Sequence, residues 1–266
     1  MERNNNCISV AIPTFNSSNY LRSCLKSLIN ISLIDEIIIN DDCSNEIEFN
    51  KIKKIIRRIN NSKIKIYKNE KNIGAFKNKY ECIKKCKNDI VYQLDSDNIA
   101  TSTLPKVLSI IMNEQNINYL YLPSKIYQFR KYPNFAKFFS IFNRRFRVTF
   151  TDKDYVFNKE IIKQAIGNNL KVTVDKNINW VLNSGNFVVN RKKYLKIFKK
   201  HVAEDIRHPM DAVAISYFWI ENGGDIKTLK DFKHFHRKRT DSVSFVESEG
   251  SFESLTNFRK KFLELD

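Results

Sequence analysis

Asp89-Ile90-Val91-Tyr92-Gln93-Leu94-Asp95-Ser96-Asp97-Asn98 runs from an apolar segment into two carboxylates one residue apart. The apolar part reads as a buried strand. In a strand, residues i and i+2 point to the same side. If the strand continues to its last residue, Asp95 and Asp97 aim together past the edge of a sheet. Two such carboxylates repel unless a cation lies between them, and a divalent metal carrying a phosphate meets that need. The same triplet also reads as a strand-ending turn with solvated carboxylates. The neighbouring strand ends decide between the two readings.

Upstream and downstream, strand and helix signals alternate. Cys7–Ile12 is a short apolar run closed by Pro13, and Asn16-Ser17-Ser18-Asn19 supplies caps for a helix through Tyr20, Leu21, Cys24, Leu25 and Leu28. Glu36–Asn40 is continuously apolar, as expected of a strand covered on both faces. A helix over Ile47–Ile59, a strand over Lys63–Tyr67, a helix over Gly74–Lys87, a helix from Leu104 to Asn116 and a strand over Tyr119–Leu122 follow. This order predicts an α/β fold with a mainly parallel central sheet flanked by helices. Ligands of such sheets bind beyond the carboxyl ends of the strands.

Polar residues gather at those ends. Strand one ends in Pro13-Thr14-Phe15-Asn16 and strand two in Asn40-Asp41-Asp42-Cys43-Ser44, while Glu70–Gly74 opens a helix whose first turn holds Lys77 and Asn78. Each cluster alone reads as a cap or turn, with Asp41/Asp42 as an N-cap pair. Together they form one rim, with carboxylates for ribose hydroxyls and base N–H groups, paired Asp for metal and a lysine near phosphates. No GxGxxG or GxxxxGK[ST] occurs, so neither a dinucleotide fingerprint nor a P-loop is supported.

Composition narrows the class. With 266 residues, 42% apolar and 12% aromatic, the chain can bury a substantial core and is not disordered. No run of 18 apolar residues and no signal-peptide h-region is present, and the five cysteines show no paired spacing, so the expectation is reduced thiols in a cytoplasmic protein. A net charge of +17 favours anionic partners. Between Lys125 and Arg147 lie seven basic and no acidic residues, interleaved with aromatics. Phe135–Phe146 has apolar positions at helical spacing. The segment reads as a helix packed on the domain, or as an interfacial segment resting on a membrane or meeting a lipid-linked acceptor. Single-stranded nucleic acid suits the same pattern, but no RNA-binding signature accompanies it, so none is expected.

The set Ser9-Val-Ala-Ile-Pro-Thr-Phe-Asn16, Ile39-Asn-Asp-Asp-Cys-Ser44, Asn72-Ile-Gly74 with Lys77-Asn78, and Leu94-Asp-Ser-Asp97 resembles glycosyltransferase family 2. The resemblance implies an inverting enzyme of the GT-A fold that uses a UDP-, GDP- or dTDP-linked sugar with Mn²⁺ or Mg²⁺. It implies one GT-A domain over 1–266, with a nucleotide-sugar half at 1–122 and an acceptor half at 123–266. By resemblance, Pro13, Thr14, Asn16, Asp41 and Asp42 bind the nucleoside, and Asn72, Gly74 and Lys77 lie along the nucleotide. Asp95 serves the ribose or metal side, and Asp97 coordinates the metal. Two departures stand out: Cys43 where the family often has Gly, and Asn98 where it often has another Asp, leaving one acid fewer beside the metal.

In the second half, Asn179–Arg191 resembles the family segment lining the acceptor cleft, which assigns Trp180 and Asn186 to the acceptor; Trp180 also reads as a core residue. Asp211 opens an apolar helix ending at Gly223-Gly224. It is a first-turn acid favoured by the dipole, or the catalytic base of the family's Glu-Asp motif. Met210 replaces the usual Glu, and Asp205, after Glu204, competes for the role. His234-Phe-His236-Arg237-Lys-Arg239 reads as a solvated basic turn or, by resemblance, as the loop that folds over the diphosphate. His236 would then reach the metal, and Arg237 and Arg239 the phosphates. The tail from Phe252 to Leu263 is predicted as an amphipathic helix. The expected function is transfer of a sugar to a hydroxyl of a glycan or lipid-linked glycan. The rivals are a non-catalytic basic binding protein with a degenerate site and a sugar nucleotidyltransferase, which would carry a Gly-rich basic loop after strand one.

Overall fold

The computed structural model describes residues 7–141, 147–149, 151–167, 178, 181–203, 211–239 and 257–265. Trp180, Asp205 and the stretch 240–256 lie outside the described residues, as does all of 142–146, the aromatic–basic end of the segment 125–147.

The first half alternates as its sequence predicts: β1 (Ile8–Thr14), α1 (Ser18–Lys26), β2 (Ile34–Asp41), α2 (Glu46–Ile59), β3 (Ile64–Lys68), α3 (Ala75–Lys85), β4 (Ile90–Gln93), a two-residue β5 (Ile99–Ala100) and α4 (Leu104–Glu114). The second half adds β6 (Tyr119–Phe129), α5 (Pro133–Phe139), β7 (Arg147–Thr149), β8 (Tyr155–Phe157), α6 (Lys159–Gly167), β9 (Phe187–Asn190), α7 (Arg191–Phe198), α8 (Asp211–Glu221) and β10 (Asp225–Arg237). A last helix covers 257–263.

One ten-stranded sheet has the order β3-β2-β1-β4-β9-β6-β10-β5, with β7 on β6 and β8 on β10. Strands β3, β2, β1 and β4 are parallel; β9 is antiparallel to both β4 and β6, and β10 is parallel to β6. Two reversals cancel, so β1, β2, β4, β6 and β10 all end at the same edge. That edge is where the site forms.

The continuous apolar strands follow from burial on both faces. Val10, Ile12, Ile37, Ile39, Tyr92 and Val188 pack with α1 and α4 on one face, while Ala11, Ile38, Val91, Phe187 and Val189 pack with α3, α7 and α8 on the other. Helix α8 is buried at every position from Asp211 to Ile220. A helix that is apolar all round belongs inside a core. Its close is fixed by Gly224, where a Cβ would lie 2.3 Å from Trp219 Nε1. Cys24, Cys82 and Cys86 are buried and unpaired, with thiol pKa values raised by burial, to about 12 at Cys82.

Three local expectations change. β4 stops at Gln93, so Asp95 and Asp97 belong to a turn closed by Asn98 N–H donating to the Asp95 carbonyl (3.0 Å), not to a continuing strand. Asn45 caps α2 by accepting from Glu48 N–H (3.0 Å), so Asp41 and Asp42 are free of that task. The segment 125–147 begins as strand, since β6 runs to Phe129, and the helix expected over Phe135–Phe146 starts earlier, as α5 at Pro133, with 142–146 outside the described residues. A proline is pre-set for the first helical position and cannot continue a helix from before it. Among the described residues, no helix is long and apolar enough to cross a membrane.

Candidate active site

The end of the rim formed by β1, β2 and the loop before α3 is built from short polar residues that bond one another. Asp41 is fully buried and accepts from Ser44 N–H (2.9 Å) and Ser44 Oγ (2.6 Å). Burial raises its pKa, and the Ser44 bonds act against that rise. Asp42 accepts from Asn69 Nδ2, Ile73 N–H and Gly74 N–H, each at 2.9 Å, and so ties the loop before α3 to the end of β2. Gly74 adopts φ +85, a left-handed value that favours glycine, and Asn72 Oδ1 also accepts its N–H (3.1 Å). Asn16 sits at φ 47 and donates its N–H to Ser44 Oγ (2.8 Å). Pro13 pairs with Asn40 in the sheet, and the buried Thr14 hydroxyl meets that of Ser17. Ser17 in turn meets Ser96 Oγ (2.8 Å), joining the β1 loop to the acidic turn.

The acidic turn has two sides. On one, Asp95 Oδ1 lies 3.3 Å from Lys79 Nζ, and Lys79 also reaches Asp211 Oδ2 at 2.5 Å and the Gly185 carbonyl at 3.4 Å. Lys79 and Asp211 side chains are almost completely enclosed, at 6% and 9% exposure. Burial alone would lower the lysine pKa, but Asp211 and Asp95 outweigh it and the net shift is upward. The ammonium is therefore held charged between the two carboxylates. Asn186 is buried as well. Its Oδ1 accepts the Asp95 N–H (2.7 Å) and its Nδ2 lies 3.1 Å from His234 Nε2. The acceptor residue of the sequence reading thus fixes the backbone of Asp95 and is enclosed beneath the rim.

On the other side, the antiparallel pairing of β5 with β10 brings the turn against the end of β10. Arg239 Nη1 pairs with Asp97 Oδ2 (3.3 Å), and Arg237 Nε donates to the Asp97 carbonyl (3.3 Å). Both guanidiniums stand over the Tyr20 ring, at 4.9 Å for Arg237 and 4.5 Å for Arg239. Burial and Asp95 raise the Asp97 pKa, while His236 and Arg239 oppose the rise. Burial lowers the His236 pKa despite Asp97 and Asp95, so its imidazole is neutral at neutral pH. His234 is pushed down to about 3, by burial first and by His236 second. Asn98 is wholly buried; its Oδ1 accepts from Arg237 N–H (3.2 Å) and holds the end of β10 to the turn. That is a structural task which does not need the missing acid.

Among the described residues, no group of three His, Cys, Asp or Glu side chains stands together in a way that could hold a metal alone. A divalent ion that keeps waters and takes substrate phosphates needs only one or two protein ligands. Asp97 with a neutral His236 fits that requirement, and Asp95 lies beside them.

Lys79 is missing from the sequence reading, as are the parts that Tyr20 and Gly185 take in the site and the Ser17–Ser96 link. Lys79 had a signal: it lies between Phe76 and Cys82/Ile83 on the buried face of α3, where a lysine needs a counter-ion. Lys77, two residues earlier, is half-buried on the same helix and makes none of these carboxylate contacts. At Gly185 a Cβ would fall 2.9 Å from Asp95 Oδ2 and 3.3 Å from Lys79 Nζ. We expect Gly185→Ala to displace this pair and lower kcat/KM by about 10²-fold, the cost of an ångström-scale misplacement. Steady-state kinetics beside a thermal melt would check it; unchanged kcat/KM would show that the approach is tolerated.

Compared with solved structures, the chain has the fold of S. aureus TarS residues 1–349 in complex with UDP-GlcNAc (TM-score 0.63, 18% identity, covering 98% of this chain and 67% of that one). It also matches GalNAc-T7 with UDP, GalNAc and Mn²⁺ (TM-score 0.61, 15% identity, 88% of this chain and 44% of that one). The architecture is therefore GT-A. The chain belongs to glycosyl transferase family 2, whose model matches residues 9–198. An uncharacterized glycosyltransferase of Haemophilus influenzae is 28% identical over 120 residues, 44% of this chain and 39% of that protein, so the chain spans about two fifths of that relative.

Proposed function

We propose that this protein is a metal-assisted, inverting glycosyltransferase that moves a sugar from a nucleotide-linked donor to a hydroxyl of a glycan or lipid-linked glycan. The observation that carries this reading is the acidic turn, held between a buried Lys79–Asp211 pair and an Arg237/Arg239/His236 cluster. In this reading the nucleoside lies against Pro13, Thr14, Asn16, Asp41, Asp42 and the Asn72–Gly74 loop, with Lys77 along the nucleotide. Asp97 and His236, with Asp95, would hold Mn²⁺ or Mg²⁺, which when bound neutralises the diphosphate as it leaves. Arg237 and Arg239 supply donors to the phosphate oxygens.

Asp211 takes the proton from the acceptor hydroxyl. The hydroxyl oxygen bonds to the anomeric carbon as the carbon–oxygen bond to the diphosphate breaks, and that electron pair stays on the diphosphate. Displacement from the opposite face converts an α-linked donor into a β-linked product. Lys79 holds Asp211 in place before the acceptor arrives and keeps Asp95 aligned beneath the donor. The UDP and UDP-GlcNAc bound to the GT-A neighbours support a UDP-linked sugar as the first donor to try. A lipid-linked acceptor would bring the enzyme to the cytoplasmic face of a membrane.

Incubation with UDP-, GDP- and dTDP-sugars, with Mn²⁺ or Mg²⁺ and an acceptor panel, tests the reading. We expect nucleoside diphosphate release from one donor class, abolished by EDTA, with a β-linked product by NMR. Failure of every donor to bind or react would overturn it.

A further inference from the structure

The surface from Arg130 to Ile141 is unlike the rest of the described surface. Tyr132, Phe135, Phe138 and Ile141 are 63, 54, 59 and 70% exposed. They recur every third residue along α5 and its flanks. Elsewhere among the described residues, large exposed hydrophobics are scattered singly: Phe15, Ile47, Tyr67, Ile110, Ile117 and Leu263. Single exposed apolar residues are ordinary, whereas a contiguous group marks an interaction surface.

The charge around this group has one sign. Arg130, Lys131 and Lys137 are exposed, Lys131 Nζ stands 5.3 Å from the Tyr132 ring centroid, and no acid occurs from Lys125 to Arg147. The cations on α5 and the segment before it are thus complementary to an anionic surface, and the exposed aromatics stand among them in the same stretch. Aromatic and aliphatic anchors flanked by lysine and arginine are the chemistry of an interfacial segment on anionic lipid. A single-stranded nucleic acid would instead need a groove with ring faces open for stacking, whereas these side chains stand on the exposed helix α5 and its flanks.

The same surface is joined to the candidate site. Lys238 N–H donates to the Phe129 carbonyl (2.7 Å), Arg237 Nη1 donates to the Arg130 carbonyl (3.1 Å), and the Arg237 guanidinium stands 4.4 Å from the Phe129 ring centroid. The strand end that positions the arginines therefore leads directly into the aromatic–basic face.

We propose that the Arg130–Ile141 face docks on an anionic phospholipid bilayer, with Tyr132, Phe135, Phe138 and Ile141 entering the interface and Arg130, Lys131 and Lys137 meeting headgroups. Its purpose, delivery of a lipid-linked acceptor to the arginine side of the site, rests on the transferase reading. The docking itself does not.

Co-sedimentation of the full chain with phosphatidylcholine vesicles, with and without phosphatidylglycerol, tests it. We expect binding only with phosphatidylglycerol, weakening as salt rises. The pair Phe135→Ser/Phe138→Ser and the pair Lys131→Glu/Lys137→Glu should each reduce binding by about tenfold or more, as loss of either half of a two-part anchor requires. An equal charge change on α2, Lys54→Glu/Arg58→Glu, should have a much smaller effect. No binding to anionic vesicles, or losses equal to those of the α2 pair, would overturn the proposal. So would single-stranded RNA binding lost in the same variants without vesicle binding, which would assign the face to nucleic acid. Because sedimentation needs no turnover, vesicle binding without reaction from any sugar nucleotide would leave the surface standing and remove only the transferase reading.

Discussion

Asp211→Asn is expected to remove sugar transfer while nucleotide binding persists. A positioned general base contributes about 10² to 10⁴ in rate, so kcat should fall by a factor in that range with the donor Kd little changed. The asparagine amide keeps the shape of the carboxylate but cannot take the acceptor's proton. Asp211 lies 2.5 Å from Lys79, and Lys79 lies 3.3 Å from Asp95, so the site does not lose its only counter-ion with the substitution. Removing one partner of a buried ion pair still costs stability, about 3–5 kcal/mol in typical cases. The kinetic effect must therefore be read on protein shown to be folded at the assay temperature. Donor affinity by calorimetry and transfer by product formation, in the same preparation, separate the two effects. Transfer within about tenfold of the parent, on a folded variant, would sink the assignment. Asp205→Asn then becomes the next variant to make, because the sequence offers that residue as the second acid of a literal Glu-Asp pair.

Much of this arrangement was legible before any fold was known, for a physical reason. Strands β1, β2 and β4 are buried on both faces and alternate with helices of clear apolar period, so their order and their common carboxyl edge follow from sequence. The polar groups at Thr14, Asp41/Asp42 and Asp95/Asp97 then fall on one rim. What the sequence hid is set by long-range pairing. Gln93 pairs with Phe187 and Leu122 with Thr228, and no local pattern announces that β9 reverses the sheet or that β10 is long enough to bring Arg237 to the acidic turn. Asn98 illustrates the consequence. As a sequence position it is a missing acid, whereas beside β10 it is the acceptor for Arg237 N–H. Lys79 fails for the opposite reason. Its helix was read correctly, but a lysine in an apolar stripe makes sense only when Asp95 and Asp211, the latter 132 residues away, arrive on either side of it.

Asp97→Asn is expected to abolish metal-dependent nucleotide binding and, in the metal-free protein, to raise the melting temperature at neutral pH. Both effects come from the same buried charge. Burial and Asp95 raise the Asp97 pKa despite His236 and Arg239, so the folded protein holds this proton more tightly than the unfolded chain does. The carboxyl's contribution to stability is therefore most favourable below its ordinary pKa. It becomes unfavourable as pH rises through the ordinary value and on through the raised one, and the penalty persists at neutral pH. An uncharged amide does not carry that penalty, although it forfeits the 3.3 Å ion pair with Arg239, which is partly enclosed. Loss of a direct ligand should weaken metal affinity by at least the 10- to 100-fold that loss of a supporting residue costs. Manganese binding by electron paramagnetic resonance, nucleotide affinity with and without the ion, and thermal melts across acid to neutral pH measure the three quantities separately. A variant that binds nucleotide with undiminished metal dependence would remove Asp97 from the ligand set. One that melts lower at neutral pH but not in acid would mean that the Arg239 pair outweighs the repulsion from Asp95, and that the turn is held by its charges instead of strained by them.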